Sequence, residues 1–412
     1  MGFDKRDAEI VRELAKRVAE VAAFPIQEEK RRLWRALNGL RPERPMIAID
    51  QLPWHEMDVD NELTIQSEDP FCRRLENNFR TILYLWKHMP SDMPVEPFID
   101  IHKIIHGTSF GIEVDEYTLV LDPKSSVVSH RFTDQLQTEE DLQKIIIPQV
   151  FYDEKTTKNN LEKAHELLDG ILDIRLQGYL PNIHSWDLIS TWKGVENTLY
   201  DLADRPEFIH AIMKRLTDAY MSMLNQLEEQ GLLGYEQISI HCSGAYTDEL
   251  PAKGFNPDKP RSKDLWTFGL AQMFSTVSPT MHQEFELDYS NRWFERFGLV
   301  YYGCCDPLDR KMDIVRKIPN LRKVSMSPWV NLERGAESTG KDFVFSRKPN
   351  PAFLAMSIWD TEIVENDLRE TLDICKRYGC PVEFILKDVS TVRYQPQRLW
   401  QWAEIASRVV YE

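Results

Sequence analysis

Cysteine is scarce here. Six occur in 412 residues, at Cys72, Cys242, Cys304, Cys305, Cys375 and Cys380, and no pair has CxxC spacing. A disulfide-stapled scaffold is excluded, and ribbon-type zinc sites and thioredoxin-like chemistry find no support. A reducing compartment fits. Long apolar runs are missing too: none approaches the roughly 18–20 uncharged residues of a membrane-spanning helix. The opening MGFDKRDAEIVRELAKRVAE is charged throughout and lacks the apolar centre of a secretion signal, so the expected location is the cytoplasm. There is no GxGxxG and no Walker A sequence, which removes the usual supports for dinucleotide or ATP binding. No Gly/Ser linker, low-complexity tract or internal repeat divides the chain. Basic residues are outnumbered, 50 Lys and Arg against 66 Asp and Glu, for a net charge of −16. Such a surface repels other polyanions, so neither nucleic acid nor an anionic membrane is expected as a partner.

What the chain does have is alternation. Ile10, Val11, Leu14, Val18 and Val21 recur at helical spacing, and a second helix is expected from Gln27 to Leu37, stopped by Asn38-Gly39. Pro45 to Asp50 reads as a short strand. Residues 51–128 are irregular, rich in acids, aromatics and proline, with a strand expected at Glu96–Ile101 and a hairpin arm at Gly111–Leu121. From Thr138 onward helices and strands alternate. The clearest helix is Arg205–Gln230, with Asp204 expected as its N-cap and Pro206 in its first turn. Strands are expected at Gln237–Cys242, Leu299–Cys304, Leu321–Met326, Asp342–Phe345 and Val382–Leu386. Repeated strand–helix units without a nucleotide loop predict an α/β protein, a (β/α)8 TIM barrel, rather than a dinucleotide fold. One domain over 1–412 is expected, with amino-terminal helices in 1–44 and an elaborated insertion at 51–137 covering one end.

In such a barrel, chemistry belongs to residues just beyond the strand ends. These are Asp50, His184, His241-Cys242, Cys304-Cys305-Asp306, Ser325–Trp329, Lys348-Pro-Asn-Pro351 and Lys387-Asp388. Imidazole and thiolates are the ligands zinc prefers. His241, Cys304 and Cys305 are therefore candidate metal ligands, with Asp388 a ligand or acid. Neighbours on a regular strand point to opposite faces, so one of the two adjacent cysteines is expected to bind and Cys242 to face away from His241. His184, Lys348 and Asp306 are candidate acid or positioning groups. Trp186 and Trp329, with Asn350, are candidate substrate contacts. Each has a plainer reading as core, cap or turn residue.

Leu180-Pro-Asn-Ile-His-Ser-Trp186, Asp204-Arg-Pro-Glu-Phe208, Gln237-Ile-Ser-Ile-His-Cys-Ser-Gly244, Phe285–Phe297 and Phe345-Ser-Arg-Lys-Pro-Asn-Pro351 carry a likeness. Over about Leu180 to Val410 the chain resembles the uroporphyrinogen decarboxylase superfamily, and Arg31–Pro45 fits an opening common in it. That superfamily is a (β/α)8 barrel which includes corrinoid-dependent methyltransferases such as the methylcobamide:coenzyme M enzymes. The resemblance implies methyl transfer from a small methylated substrate, such as a phenyl methyl ether, to a corrinoid protein, with zinc assisting. The family's zinc motif is His-x-Cys plus a distal cysteine. Here the first reads Tyr302-Gly-Cys304, and Lys387-Asp-Val-Ser390 carries no cysteine. A zinc site would have to be rebuilt from Cys304 or Cys305 with His241, Asp306 or Asp388. The alternatives are a cofactor-free decarboxylase of the uroporphyrinogen decarboxylase type and a non-catalytic binding protein on a degenerate barrel. Homo-oligomerisation stays open.

Overall fold

The computed structural model describes residues 3–120, 123–124 and 128–412. Leu121, the end of the expected Gly111–Leu121 arm, lies outside them, as do Met1, Gly2 and part of the 51–137 insertion. Six strands form one parallel sheet: β1 (Met46–Ile49), β2 (Trp266–Gly269), β3 (Leu299–Tyr302), β4 (Leu321–Met326), β5 (Val344–Arg347) and β6 (Val382–Leu386), in the spatial order β1-β6-β5-β4-β3-β2. Both faces are buried, as a parallel sheet requires. Met46, Ala48, Leu299, Tyr301, Val344 and Ile385 enter one apolar cluster. Their alternate neighbours Ile47, Ile49, Val300, Tyr302, Phe345 and Phe384 enter another, shared with the surrounding helices. The first face is concave: Lys323 on β4 crosses past β5 to reach Glu383 on β6, 2.7 Å away. The protein is thus α/β with a curled parallel sheet, a half-barrel.

The expected eight-stranded closure is not a continuous ladder among the described residues. Beyond β2 the wall continues as single parallel bridges, Ile183 to Gly269 and Tyr179 to Leu233. The strand at Phe98–His102 pairs in parallel with Asp173–Gln177 as a separate two-stranded unit. Helix α1 (Lys5–Ala22), helix α3 (Pro70–His88) and helix α4 (Glu154–Leu168) share a third apolar core with that pair, through Leu14, Val18, Phe79, Ile99 and Leu167. Residues 51–137 therefore do more than cover an end. They hold the 19-residue α3, capped by Asp69 through the Phe71 and Cys72 amides, which the irregular pattern did not announce.

Helix α2 (Pro25–Asn38) closes the amino-terminal end of the curl. Its Trp34 is fully buried, donates from Nε1 to Asp92 O at 2.8 Å and lies under the Lys323 ammonium at 5.0 Å. A Cβ on Gly244 would sit 2.4 Å from the Trp34 ring, so only glycine admits this approach.

Two local expectations fail for tertiary reasons. Asp204 is the last residue of a helix of its own, Val195–Asp204, and the long helix Pro206–Glu229 has Arg205 at its N-cap without a side-chain cap bond. The expected Gln237–Cys242 strand is cut to Ser239–Ile240, which folds back in a tight hairpin onto Ser243–Gly244. No helix among the described residues is long and apolar enough to cross a membrane.

Candidate active site

The site begins with a glycine. Gly303, directly after β3, has φ +90, and a Cβ there would meet Leu308 Cδ1 at 2.4 Å. This turn ends the strand, so Cys304 and Cys305 escape its alternation and their Sγ atoms lie 3.5 Å apart on the same side. The expectation that only one of them could face the site therefore does not hold. Asp306 is fully buried and accepts from the Cys304 amide through Oδ1 at 3.2 Å, while Ser325 Oγ donates to Cys304 O at 2.6 Å. Both bonds fix the loop that presents the thiols.

Residues from β6 meet them. Lys387 Nζ donates to Cys304 Sγ at 3.1 Å and lies 3.2 Å from Asp388 Oδ2. Cys305 Sγ donates to the same Asp388 oxygen at 3.6 Å. One ligand atom from each of Cys304, Cys305 and Asp388 falls within 4.8 Å of the others, close enough to share one metal ion. Cys304 is held far below the ordinary thiol range by the hydrogen bond with Cys305, reinforced by His241 and by the Lys387 ammonium. Cys305 is pushed up in turn by that hydrogen bond with Cys304 and by burial. The two thiols are thus unequal, with ionisation favoured at Cys304.

His241 comes from the hairpin. It and Cys242 are the two central residues of the turn, with φ of 44 and 65, conformations normally left to Asn-Gly. Asp388 is also left-handed, at φ 57. Such strain, of order 1–3 kcal/mol per residue, persists only where the surroundings impose it, and it concentrates at functional sites. The His241 ring stacks on Phe268 at 4.4 Å and meets Tyr301 edge-on at 5.3 Å. Burial lowers its pKa and the Cys304 charge opposes this. Its Nε2 is buried without a hydrogen-bond partner among the described residues. A neutral imidazole with an orphaned nitrogen beside a thiolate fits a zinc ligand. Cys242 is different, its thiol pushed up to about 12 by burial and by Asp50.

Lys348, after β5, is buried among Tyr301 and Ser346, donating to both hydroxyls, the second at 3.0 Å. Burial pulls its pKa down to about 8, with Glu383 opposing. The remaining candidates lie apart from the thiols. His184 is half-buried, its ring edge-on to Tyr220 at 6.3 Å, and desolvation lowers its pKa. Trp186 is fully buried against Phe274, ring centroids 4.4 Å apart, in the helical core. Trp329 is 68% exposed. Asn350 accepts from the Ala352 amide at 3.0 Å and shapes its turn.

Two residues escaped the sequence reading. Lys387 was noted only as part of a strand end. Asp187, one turn past His184 on the Ser185–Lys193 helix, is paired with Gln272 Nε2 at 3.2 Å. Burial, helped by the Cys304 and Asp306 charges, raises its pKa to about 6. It, not His184, is the acid within electrostatic reach of the thiolate. A carboxylate in the first turn of a helix reads as a cap, so nothing in the sequence singled it out.

No protein-family profile matches the chain, and no curated protein matches it. Among solved structures, the chain is similar to a methyltransferase from Methanosarcina mazei, with 10% identity, a TM-score of 0.48, and coverage of 92% of this chain and 97% of that one.

Proposed function

We propose that the protein is a barrel enzyme that moves a methyl group from a small methylated substrate, such as a phenyl methyl ether, to a corrinoid carried by a separate protein. The observation that carries this reading is the convergence of Cys304, Cys305 and Asp388 at the strand ends. With the orphaned His241 nitrogen beside them, these residues would hold zinc. When bound, zinc supplies a Lewis acid that polarises an ether oxygen. The chain's own residues do the rest. As the methyl–oxygen bond breaks, the oxygen needs a proton, and Asp187, with its pKa raised to about 6, would supply it from the minor protonated fraction present at neutral pH. Lys387 and Lys348 keep the cluster's charge balanced, and Asp306 fixes the thiol loop from behind. The full (β/α)8 closure and the corrinoid partner belong to the same proposal.

A specific observation favours a second reading. The Lys387 ammonium already neutralises the Cys304 thiolate at 3.1 Å, which is the office a metal would fill. A cofactor-free decarboxylase, using the Lys387 and Lys348 cations to stabilise negative charge left by departing CO2, follows from it.

One experiment separates the two. Protein purified anaerobically, without a chelating tag, is assayed for zinc, for methyl transfer to a corrinoid protein and for CO2 release. About one zinc per chain that disappears in Cys304→Ser, together with a loss of methyl transfer of about 100-fold or more and an unchanged Tm, is the expected result. Metal-free protein whose turnover survives Cys304→Ser and releases CO2 would sink the first reading and leave the second.

A further inference from the structure

Asp388 is the loosest member of the thiol cluster. Its side chain is 48% exposed, and the groups it meets, Lys387 and Cys305, belong to the cluster themselves. Its direction is therefore set by the backbone of the loop after β6. That backbone is held against preference: Asp388, Arg393 and Tyr394 have φ of 57, 57 and 55. Non-glycine residues keep such conformations only where something else in the structure imposes them.

What imposes them comes from the other end of the chain. β1 pairs with β6, and two backbone bonds stitch the loops that follow them, from the Asp50 amide to Leu386 O at 3.0 Å and from the Val389 amide to Gln51 O at 3.1 Å. The first loop then makes one short helical turn, Trp54–Glu56, which ends on a buried acid. Glu56 Oε1 accepts from Thr391 Oγ1 at 2.6 Å, and Oε2 accepts from the Val392 and Tyr394 amides at 2.7 and 3.0 Å. Thr391 Oγ1 accepts in turn from the Arg393 amide at 2.9 Å. One carboxylate thus gathers the loop across Thr391–Tyr394, the stretch that holds two of its left-handed residues. Bonds to a buried charged acceptor are stronger than neutral ones, and without it these donors would be left unpaired. The thiols are held separately, by Asp306 and Ser325 on the β3 and β4 side.

We infer that Glu56 is a positioning residue of the metal cluster: it clasps the loop after β6 and so aims Asp388 at the ion that Cys304 and Cys305 would share. The inference rests on the zinc reading given above. It adds that the irregular stretch after β1 supplies part of the geometry of the cluster without touching the ion.

The test is anaerobic titration of the metal-free full chain with cobalt(II), which takes the tetrahedral sites of zinc and, unlike zinc, gives a thiolate charge-transfer band. The wild type is expected to bind one cobalt with that band, and Cys304→Ser to lose it. Glu56→Ala should keep the band and weaken the affinity about tenfold or more, the usual cost of removing a group that orients a ligand. Asp388→Gly, which removes the ligand and keeps the left-handed turn, should do the same. The double variant should bind no more weakly than Asp388→Gly alone, because Glu56 then has no ligand left to aim. Glu56→Gln, whose amide oxygen can still take the two backbone amides, should recover most of the affinity. If Glu56→Ala does not fold, Thr391→Val carries the same cycle with a smaller and equally non-additive effect. Equal cobalt affinity in the wild type and Glu56→Ala would overturn the inference alone, as would losses that add in the double variant. A wild type that binds no cobalt with a thiolate band would overturn the zinc reading and the inference together.

Discussion

The curled sheet holds two polar clusters, built on opposite rules. At its amino-terminal end Lys323 and Glu383 are fully buried and 2.7 Å apart. Ser243 bridges them, accepting from Lys323 at 2.6 Å and donating to Glu383 at 2.8 Å, and Gly244 O takes a further bond from Lys323. The indoles of Trp34 and Trp266 pack against the ammonium. Cation meets anion. At the carboxy-terminal end a thiolate, a thiol and a half-exposed carboxylate share one lysine, an imidazole nitrogen has no partner, and three residues are left-handed. The first cluster is balanced in charge and sealed, as a scaffold element is, with Glu383 Oε1 alone in it left without a hydrogen-bond partner among the described residues. The second is unmatched, strained and open to solvent, as a reactive site is. Polarity alone does not mark function in this interior; unbalanced charge next to solvent does.

That contrast can be broken from either side. The largest effect is expected in the sealed cluster. Lys323→Met strands the Glu383 charge and should cost about 3–5 kcal/mol in urea unfolding, most of it recovered when Glu383→Leu is added. A small loss, or no recovery, would mean that the pair is not the scaffold described. Next comes Glu286, fully buried behind the site in the single π turn at Gln283–Leu287, accepting from Ser290 Oγ at 2.8 Å. Burial raises its pKa to about 8 from 4.5. The folded state therefore favours the proton, and this contribution is present below about pH 4.5 and lost as pH rises through 8. Glu286→Gln should gain on the wild type by roughly 2–4 kcal/mol between pH 5 and 9. Parallel stability curves across that range would contradict the assignment.

Smaller effects belong to the reactive end. Cys242→Gly relieves a left-handed non-glycine and should raise stability by about 1 kcal/mol, measured by thermal or urea unfolding. Lys387→Met should change stability by no more than about 1 kcal/mol, because Cys304 can take up a proton and Asp388 is hydrated. It should instead raise the apparent pKa of the Cys304 thiol, read from the pH dependence of iodoacetamide alkylation. If Lys387→Met unfolds the protein as Lys323→Met does, the two clusters follow one rule and the contrast fails.

Much of the architecture was legible because it is local. The stripe Val11, Leu14 and Val18 makes α1 whatever surrounds it, and β4 and β6 appear where the apolar runs Leu321–Met326 and Val382–Leu386 lie. The placement of chemistry beyond the strand ends was legible too, since parallel strands joined by helices put their carboxyl ends on one side. Helix α3 carries a stripe of its own, Phe71, Leu75 and Phe79, behind the Asp69 cap and Pro70, but the irregular acids and prolines on either side of it read as loop. Asp204 misled because an acid before Arg-Pro-Glu fits a cap and the end of a preceding helix equally well.

What the tertiary structure alone decided is pairing over distance and backbone against preference. Lys323 and Glu383 lie 60 residues apart, and Cys304 and Lys387 lie 83 apart. No periodicity encodes which partner satisfies which. The turn at His241-Cys242 runs against the propensity of both residues, so sequence alone reads it as strand; the bridge from Ser243 to Glu383 and the packing of Trp34 on Gly244 hold it closed. The residue types by themselves determined that thiols, imidazole and acids stand at strand ends. Only the fold, by ending β3 at Gly303 and turning back at His241, set both thiols, Asp388 and Lys387 within one cluster, because side-chain direction there is imposed by the packed chain and not by the local sequence.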